Sequence, residues 1–243
     1  MSKVTRAMIM AAGFGTRMRP LTDDRPKPLV TVRGKSLLDH ALDRLVAAGV
    51  NMVVINLHYR AQQVRDHLAK RRDIDIRYSM EDEILGTGGG VVKALPLFDG
   101  EAFFVLNSDS VWVEGYVAPL PAMQRLWQPE KMDGLLLLAA MTTAMGYEGR
   151  GDFLLDAEGH IARVPERTSS PFAYPGVQIV HPRLFADAPD GSFSTNIMWD
   201  RAIAKGRLYG LRLEGVWIHV GTPEARDDAE AYLGRLTPQT ITK

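Results

Sequence analysis

Residues 4–12 form an apolar run without a helical stripe, the pattern of a strand buried on both faces. Gly13-Phe14-Gly15-Thr16-Arg17 ends it in a turn that a regular strand or helix would not accept. Leu38, Ala41, Leu42 and Leu45 then recur at helical spacing. Ser36 stands at the N-cap of that helix, with Asp39 as a loose capping box, and Gly49 stops it. Residues 51–57 read as a second buried strand. Residues 60–72 read as an amphipathic helix turning Val64 and Leu68 inward, and residues 74–79 alternate as a strand. Gly86-Thr87-Gly88-Gly89-Gly90 predicts a second glycine-rich turn leading into a helix over 91–95. A strand over 102–106 ends at Asn107-Ser108-Asp109.

The second half is less regular. Helices are expected over 121–127 and 198–205, and strands over 135–141, 177–180 and 208–213. Residues 153–156 and 160–164 flank a hairpin turn at Ala157-Glu158-Gly159. Thr222 caps a last helix, with Pro223 at its first position and Glu224 in its first turn. Strands and helices alternate through the first half, which predicts an α/β fold. Its form is one Rossmann-like domain over 1–243, with a mixed, mainly parallel sheet flanked by helices.

A chain of 243 residues suits one such domain. Its 29 basic and 29 acidic residues cancel, which argues against nucleic acid or an anionic membrane as the partner. The cancellation is uneven: residues 1–35 hold eight basic side chains and two acidic ones. A basic cluster beside a glycine-rich turn points to a small polyanion such as a nucleotide. No cysteine is present, so disulfides, thiolate metal sites and cysteine nucleophiles drop out, and a reducing cytoplasm suits the chain. The early apolar run is broken by Gly13 and Gly15, unlike the core of an export signal.

The first glycine loop is not a Walker loop, because no Gly-Lys-Ser/Thr follows at the required spacing. Met18 stands where a dinucleotide fingerprint has its third glycine, which speaks against a nicotinamide dehydrogenase. What remains is a loop whose backbone N–H groups can approach phosphates, with Arg17 close behind. Ten residues further on, Pro26-Lys27-Pro28 fixes the chain on both sides of one lysine and so aims one ammonium group.

Ala11-Ala12-Gly13-x-Gly15-Thr16-Arg17-x-Arg19-Pro20-Leu21-Thr22, followed by Arg25-Pro26-Lys27-Pro28-Leu29, resembles the signature of the sugar-1-phosphate nucleotidyltransferases. The likeness continues at Gly86-Thr87-Gly88-Gly89, at Asn107-Ser108-Asp109 and at Val220-Gly221-Thr222-Pro223, so it spans nearly the whole chain. It implies transfer of a nucleotidyl group to a sugar 1-phosphate, with release of pyrophosphate. It also implies a nucleotide-binding half over about 1–115 and a sugar-binding half over about 116–243. By resemblance, Ala11, Ala12, Gly13, Gly15 and Thr16 hold the nucleotide. Arg17 and Lys27 contact its phosphates, and Asp109 holds Mg²⁺. The Gly86 to Gly90 segment, with Gly86 and Gly88, meets the base; Glu81 either does so too or is a solvated acid of the Glu81-Asp82-Glu83 run. Asn107 meets the sugar or ribose, and Gly151, in Gly151-Asp152-Phe153, Glu166, and Gly176, in the turn Tyr174-Pro175-Gly176-Val177, meet the sugar. Thr87-Gly88-Gly89-Gly90 and the compact chain most resemble the N-acetylmuramate-1-phosphate uridylyltransferases. The mannose-1-phosphate guanylyltransferases are the alternative, and glucose-1-phosphate enzymes the third choice. The protein is expected to be a monomer or weak homo-oligomer.

One position departs from the family pattern. Many members carry Trp-x-Asp-x-Gly-Thr near the C-terminus, whereas this chain has Trp217-Ile218-His219-Val220-Gly221-Thr222. Histidine is a poor ligand for Mg²⁺, which prefers hard oxygen. Asp109, water and phosphates then hold the ion, or His219 takes a softer metal or the substrate phosphate, or His219 has no metal role. Asp200 is a further candidate carboxylate on a helix expected to face it to solvent. The same departure keeps open a non-catalytic nucleotide-sugar sensor of this fold.

Overall fold

The computed structural model describes residues 3–165 and 167–236. Strands Arg6–Met10, Met52–Leu57, Asp75–Met80 and Phe103–Asn107 pair in parallel, with 6–10 between 52–57 and 103–107 and with 75–80 at the edge. Beyond 103–107 the sheet continues through Val177–Val180, which runs antiparallel, to Gly134–Ala140. Leu208–Arg212 pairs in parallel with 134–140, and three short strands complete that edge: Phe172–Ala173, Phe153–Leu155 and Ile161–Arg163. Seven of these ten strands run in one direction, so the sheet is mixed but mainly parallel, as the alternation of elements predicts.

Helices cover both faces, and the two-residue period of the strands decides which side chain meets which helix. Ile9, Val53, Ile55 and Phe104 pack with α1 (Leu37–Ala47), α2 (Ala61–Leu68) and α4 (Pro119–Leu126). Their neighbours Met8, Val54, Phe103 and Val105 pack with α3 (Gly86–Ala94) and α5 (Asn196–Ala204). The Ser36 hydroxyl accepts from the Asp39 N–H at 3.0 Å, so the expected N-cap of α1 is present. Thr222 does the same for α6 (Pro223–Arg235), accepting from Ala225 at 3.2 Å.

Three departures from the sequence pattern bear on the site. The helix expected over 60–72 stops at Leu68, closing on i→i−3 bonds such as Arg71 N–H to Leu68 C=O at 3.0 Å. The Gly86 to Gly90 segment is not a turn before a helix but the opening turns of α3 itself. Tertiary contact overrides the poor helix propensity of its glycines, because the segment 191–195 lies against them. Finally, Ser110–Glu114 and Gly215–His219, which carry no clear period in the sequence, pair antiparallel in a second sheet with Ala144–Met145. In that register Ser110 lies opposite His219, which sets the histidine beside Asp109.

Candidate active site

The parallel strands 6–10, 52–57, 75–80 and 103–107 all end at one rim, the usual ligand edge of an open α/β sheet. There a cleft of about 350 Å³ is lined by Ala11, Ala12, Gly13, Gly15, Thr16, Arg17, Lys27, Glu81, Gly86, Asn107 and Asp109. Eleven positions that the family signature marks, spread over 99 residues of chain, therefore share one space.

The first loop is shaped for close approach. Gly15 has φ +65°, and a Cβ there would meet the Lys27 Cβ at 2.8 Å. Only glycine permits both the left-handed backbone and this contact, so Gly15 brings the proline-flanked lysine against the loop. Lys27 Nζ lies 2.6 Å from Asp109 Oδ2, with both side chains mostly buried. Burial pushes the Asp109 carboxyl up, but the Lys27 charge and hydrogen bond, together with His219, outweigh it and hold the group below the usual carboxylate range. Arg17 is exposed at the cleft wall.

Glu81 is not a solvated acid of its acidic run; it is 4% exposed. Its Oε1 accepts from Asn56 Nδ2 at 2.7 Å and its Oε2 from the Leu85 N–H at 3.1 Å. Asn56 Oδ1 in turn accepts from the Ala11 N–H at 2.7 Å. Ala11 thus contributes shape rather than a free amide to the cleft. A Cβ on Gly90 would meet Glu81 Oε1 at 2.8 Å, so that glycine leaves room for the carboxylate rather than for a ligand.

Gly88 does not line the cleft. A Cβ on it would overlap the Phe193 ring, and its N–H donates to the Phe193 C=O at 2.9 Å. It is a packing residue that lets the segment 191–195 dock on α3.

A second cavity of about 300 Å³ adjoins the first and shares Met10, Thr87 and Asn107 with it. Asp152, Arg163, Tyr174, Gln178, Thr195, Asn196 and Trp199 also line it. Asn107 lines both cavities, whereas Gly151 and Gly176 sit behind the walls of the second. Gly151 packs on Ser170 and Phe172 next to Asp152, whose Oδ2 accepts from the Tyr174 N–H at 2.8 Å. Gly176, with φ +81°, lies under the Asn107 side chain, and its C=O accepts from the Asn107 N–H at 2.7 Å. Glu166 lies outside the described residues. Asp152 belongs to the Gly151-Asp152-Phe153 stretch marked by resemblance, whereas Arg163 and Asn196 carry no motif and sit on separate segments, so no spacing marks them.

The structure corrects Asp200 as a metal candidate: its Oδ1 accepts from Arg163 Nε at 2.7 Å, and it lines neither cavity. His219 does stand at the site. Burial holds its imidazole below the ordinary value against the upward pull of Asp109, and the charges of Lys27 and Arg17 add smaller downward pushes. Its ring lies beside Trp217 at 5.5 Å between centroids. Among the described residues no group of three His, Asp or Glu is placed to hold a metal. Of the two carboxylates lining the cleft, Glu81 is taken up by Asn56 and the Leu85 N–H, which leaves Asp109 as the hard oxygen ligand. That fits Mg²⁺, which commonly binds through one or two carboxylates plus water and substrate phosphates. Cationic walls, a glycine loop and one carboxylate suit a polyphosphate and its counter-ion.

Residues 6–151 match the family described as nucleotidyl transferase. The chain is 47% identical over 232 residues to the N-acetylmuramate alpha-1-phosphate uridylyltransferase of Caulobacter vibrioides, covering 93% of this chain and 96% of the relative. It is 34% identical to the enzyme of the same name from Neisseria meningitidis serogroup B, over 94% and 98% of the two chains. The crystal structure of UDP-glucose pyrophosphorylase complexed with UDP-glucose superposes with a TM-score of 0.78 at 18% identity, covering 96% of this chain and all of that one; a likeness at that identity speaks to the fold alone.

Proposed function

This chain belongs to the nucleotidyl transferase family, and we propose that it joins UTP to N-acetylmuramate α-1-phosphate, releasing pyrophosphate and UDP-N-acetylmuramate. The observation that carries this reading is the 47% identity, sustained over nearly all of both chains, to a uridylyltransferase of that specificity. A phosphate oxygen of the sugar attacks the α-phosphorus of UTP, and the bond from that phosphorus to the β-phosphate bridging oxygen breaks. The attacking group has a second pKa near about 6 and is mostly ionised at neutral pH, so no side chain has to take a proton. What the chain must supply is alignment and positive charge.

Arg17 and the amides of the first glycine loop hold the departing β- and γ-phosphates. Lys27 turns from Asp109 to the reacting phosphates. Asp109 would hold Mg²⁺, which when bound neutralises charge on the crowded phosphate oxygens. Glu81 and Asn56 fix the floor on which the base rests, and Asn107, at the junction of the two cavities, meets sugar or ribose. The first cavity seats the nucleotide and the second the sugar. We place the reaction in the cytoplasm, in the recycling of cell-wall sugars, in keeping with a cysteine-free chain. Among the described residues no helix is long and apolar enough to cross a membrane.

Pyrophosphate release is to be measured with Mg²⁺ across four nucleoside triphosphates and a panel of sugar 1-phosphates. Turnover is expected with UTP and N-acetylmuramate 1-phosphate. Preference for GTP with mannose 1-phosphate would move the chain to the guanylyltransferases. Nucleotide binding with no turnover across the panel would favour a sensor.

A further inference from the structure

Among the described residues, Arg163 is the one cation lining the second cavity. The sequence gives no hint of it, since it ends a three-residue strand without a motif. The structure nonetheless orients its guanidinium, although 35% of the side chain stays exposed. Nε donates to Asp200 Oδ1 at 2.7 Å, and Nη2 donates to Asn196 Oδ1 at 3.1 Å. The group lies 4.7 Å from the centroid of Phe153 and 5.9 Å from that of Trp199. Two aromatic faces, a carboxylate and an amide thus fix its plane before any ligand arrives. Such fixing lowers the entropy lost when a bidentate partner is bound.

The rest of the wall is neutral or already engaged. Asp152 Oδ2 accepts from the Tyr174 N–H and, at 3.4 Å, from the Tyr147 hydroxyl. Gln178 Oε1 accepts from Trp199 Nε1 at 2.9 Å. A neutral sugar would need hydroxyl and amide partners here, which Asn107, Thr195 and Asn196 supply. It gives no reason for an oriented guanidinium. A planar anion does, because the arginine fork matches the two oxygens of a carboxylate.

We propose that Arg163 is the specificity-determining residue of the sugar site, recognising a carboxylate carried on the sugar ring. The inference rests on the substrate reading above: N-acetylmuramate differs from N-acetylglucosamine by a carboxylate-bearing ether. Asp200, which does not line the cavity, acts through Arg163 as a positioning residue.

The test compares kcat/KM for N-acetylmuramate 1-phosphate and N-acetylglucosamine 1-phosphate, with UTP, in the full-length wild type, Arg163→Met and Arg163→Lys. Calorimetric UTP affinity reports whether each variant keeps its fold. The wild type is expected to prefer the acidic sugar. Arg163→Met should lose that preference by about 10- to 100-fold, mainly through KM, as expected for a charged hydrogen bond. Arg163→Lys keeps the charge but not the fork, and should retain part of the preference. If variants that bind UTP normally keep the full wild-type preference, the assignment of Arg163 is wrong while the substrate reading stands. If the wild type itself turns over both sugars equally, the substrate reading fails, and the assignment with it.

Discussion

Lys27 Nζ and Asp109 Oδ2 stand 2.6 Å apart, although 82 residues separate them in the chain. Paired, the two charges neutralise one another, which spares the protein a lone, mostly buried charge. On the reaction proposed above, phosphate would take the ammonium and the counter-ion the carboxylate, so the pair would have to part as substrate binds.

Lys27→Ala should therefore abolish most turnover, and the chain should still fold but with a lowered Tm, because Asp109 loses its partner. The loss in kcat should be on the order of 10²–10³, the usual cost of one preorganised charge at a reacting phosphate or oxyanion. Pyrophosphate release and thermal unfolding, run on the same preparation, check both halves of this expectation. Release at the wild-type rate would refute the role given to Lys27.

His219 leads to a gain-of-ligand experiment. His219→Asp places a second carboxylate next to Asp109, on the strand that pairs with Ser110–Glu114. Mg²⁺ prefers hard oxygen, so the concentration needed for half-maximal rate should fall. Mn²⁺ binding followed by electron paramagnetic resonance gives a readout independent of turnover. Unchanged metal affinity would show that the His219 position lies outside the ion's reach.

Away from the site, Asp133 holds Arg183 at 2.6 Å and Arg207 at 2.9 Å. Burial pushes its carboxyl up, but the two guanidinium groups outweigh burial and hold it below the usual range. An acid whose folded pKa is depressed stabilises the fold above its unfolded pKa, about 3.9. That stability is lost as pH falls through the lower folded value. Asp133→Asn should lower Tm at pH 7 by a few degrees, roughly 2–8 °C for a loss of about 1–2 kcal/mol. The difference from wild type should shrink as pH is taken below 4, and calorimetry over that range decides it. A constant difference would mean that the charge of Asp133 contributes nothing.

Gly88→Ala tests the docking of segment 191–195. The new methyl must displace the Phe193 ring, a kind of overpacking that costs about 1–3 kcal/mol. Because Thr195 and Asn196 follow directly, KM for the sugar should rise more than KM for UTP. Phe193→Leu in the same chain should restore part of the stability. Equal effects on both substrates would argue that Gly88 serves the nucleotide instead.

Much of this architecture is legible in the chain because its signals are local. Ser36 and Thr222 cap helices by reaching their own third residue, and the buried strands 6–10 and 52–57 declare themselves by continuous apolar runs. Lys27 is marked by its two prolines and Asp109 by its place after a strand. The sugar side is opaque for the opposite reason. Asp152, Arg163, Tyr174 and Asn196 come from four short segments, and only the tertiary fold brings them together. Gly88 misleads because a glycine that admits a neighbouring ring reads the same as one that admits a nucleotide. Glu81 misleads because two acidic neighbours, Asp82 and Glu83, disguise a buried carboxylate as part of a solvated run.

Met10, Thr87 and Asn107 belong to both cavities at once. A party wall of this kind constrains how the protein can diversify. On the proposed seating of nucleotide and sugar, any change there would be felt by two tenants, so a variant that improves one seat would disturb the other. New sugar preferences are cheapest to acquire on the far side, around Arg163 and Asn196, where a substitution leaves the nucleotide untouched. Libraries aimed at altered acceptors should spend their diversity on that outer wall and leave the partition alone.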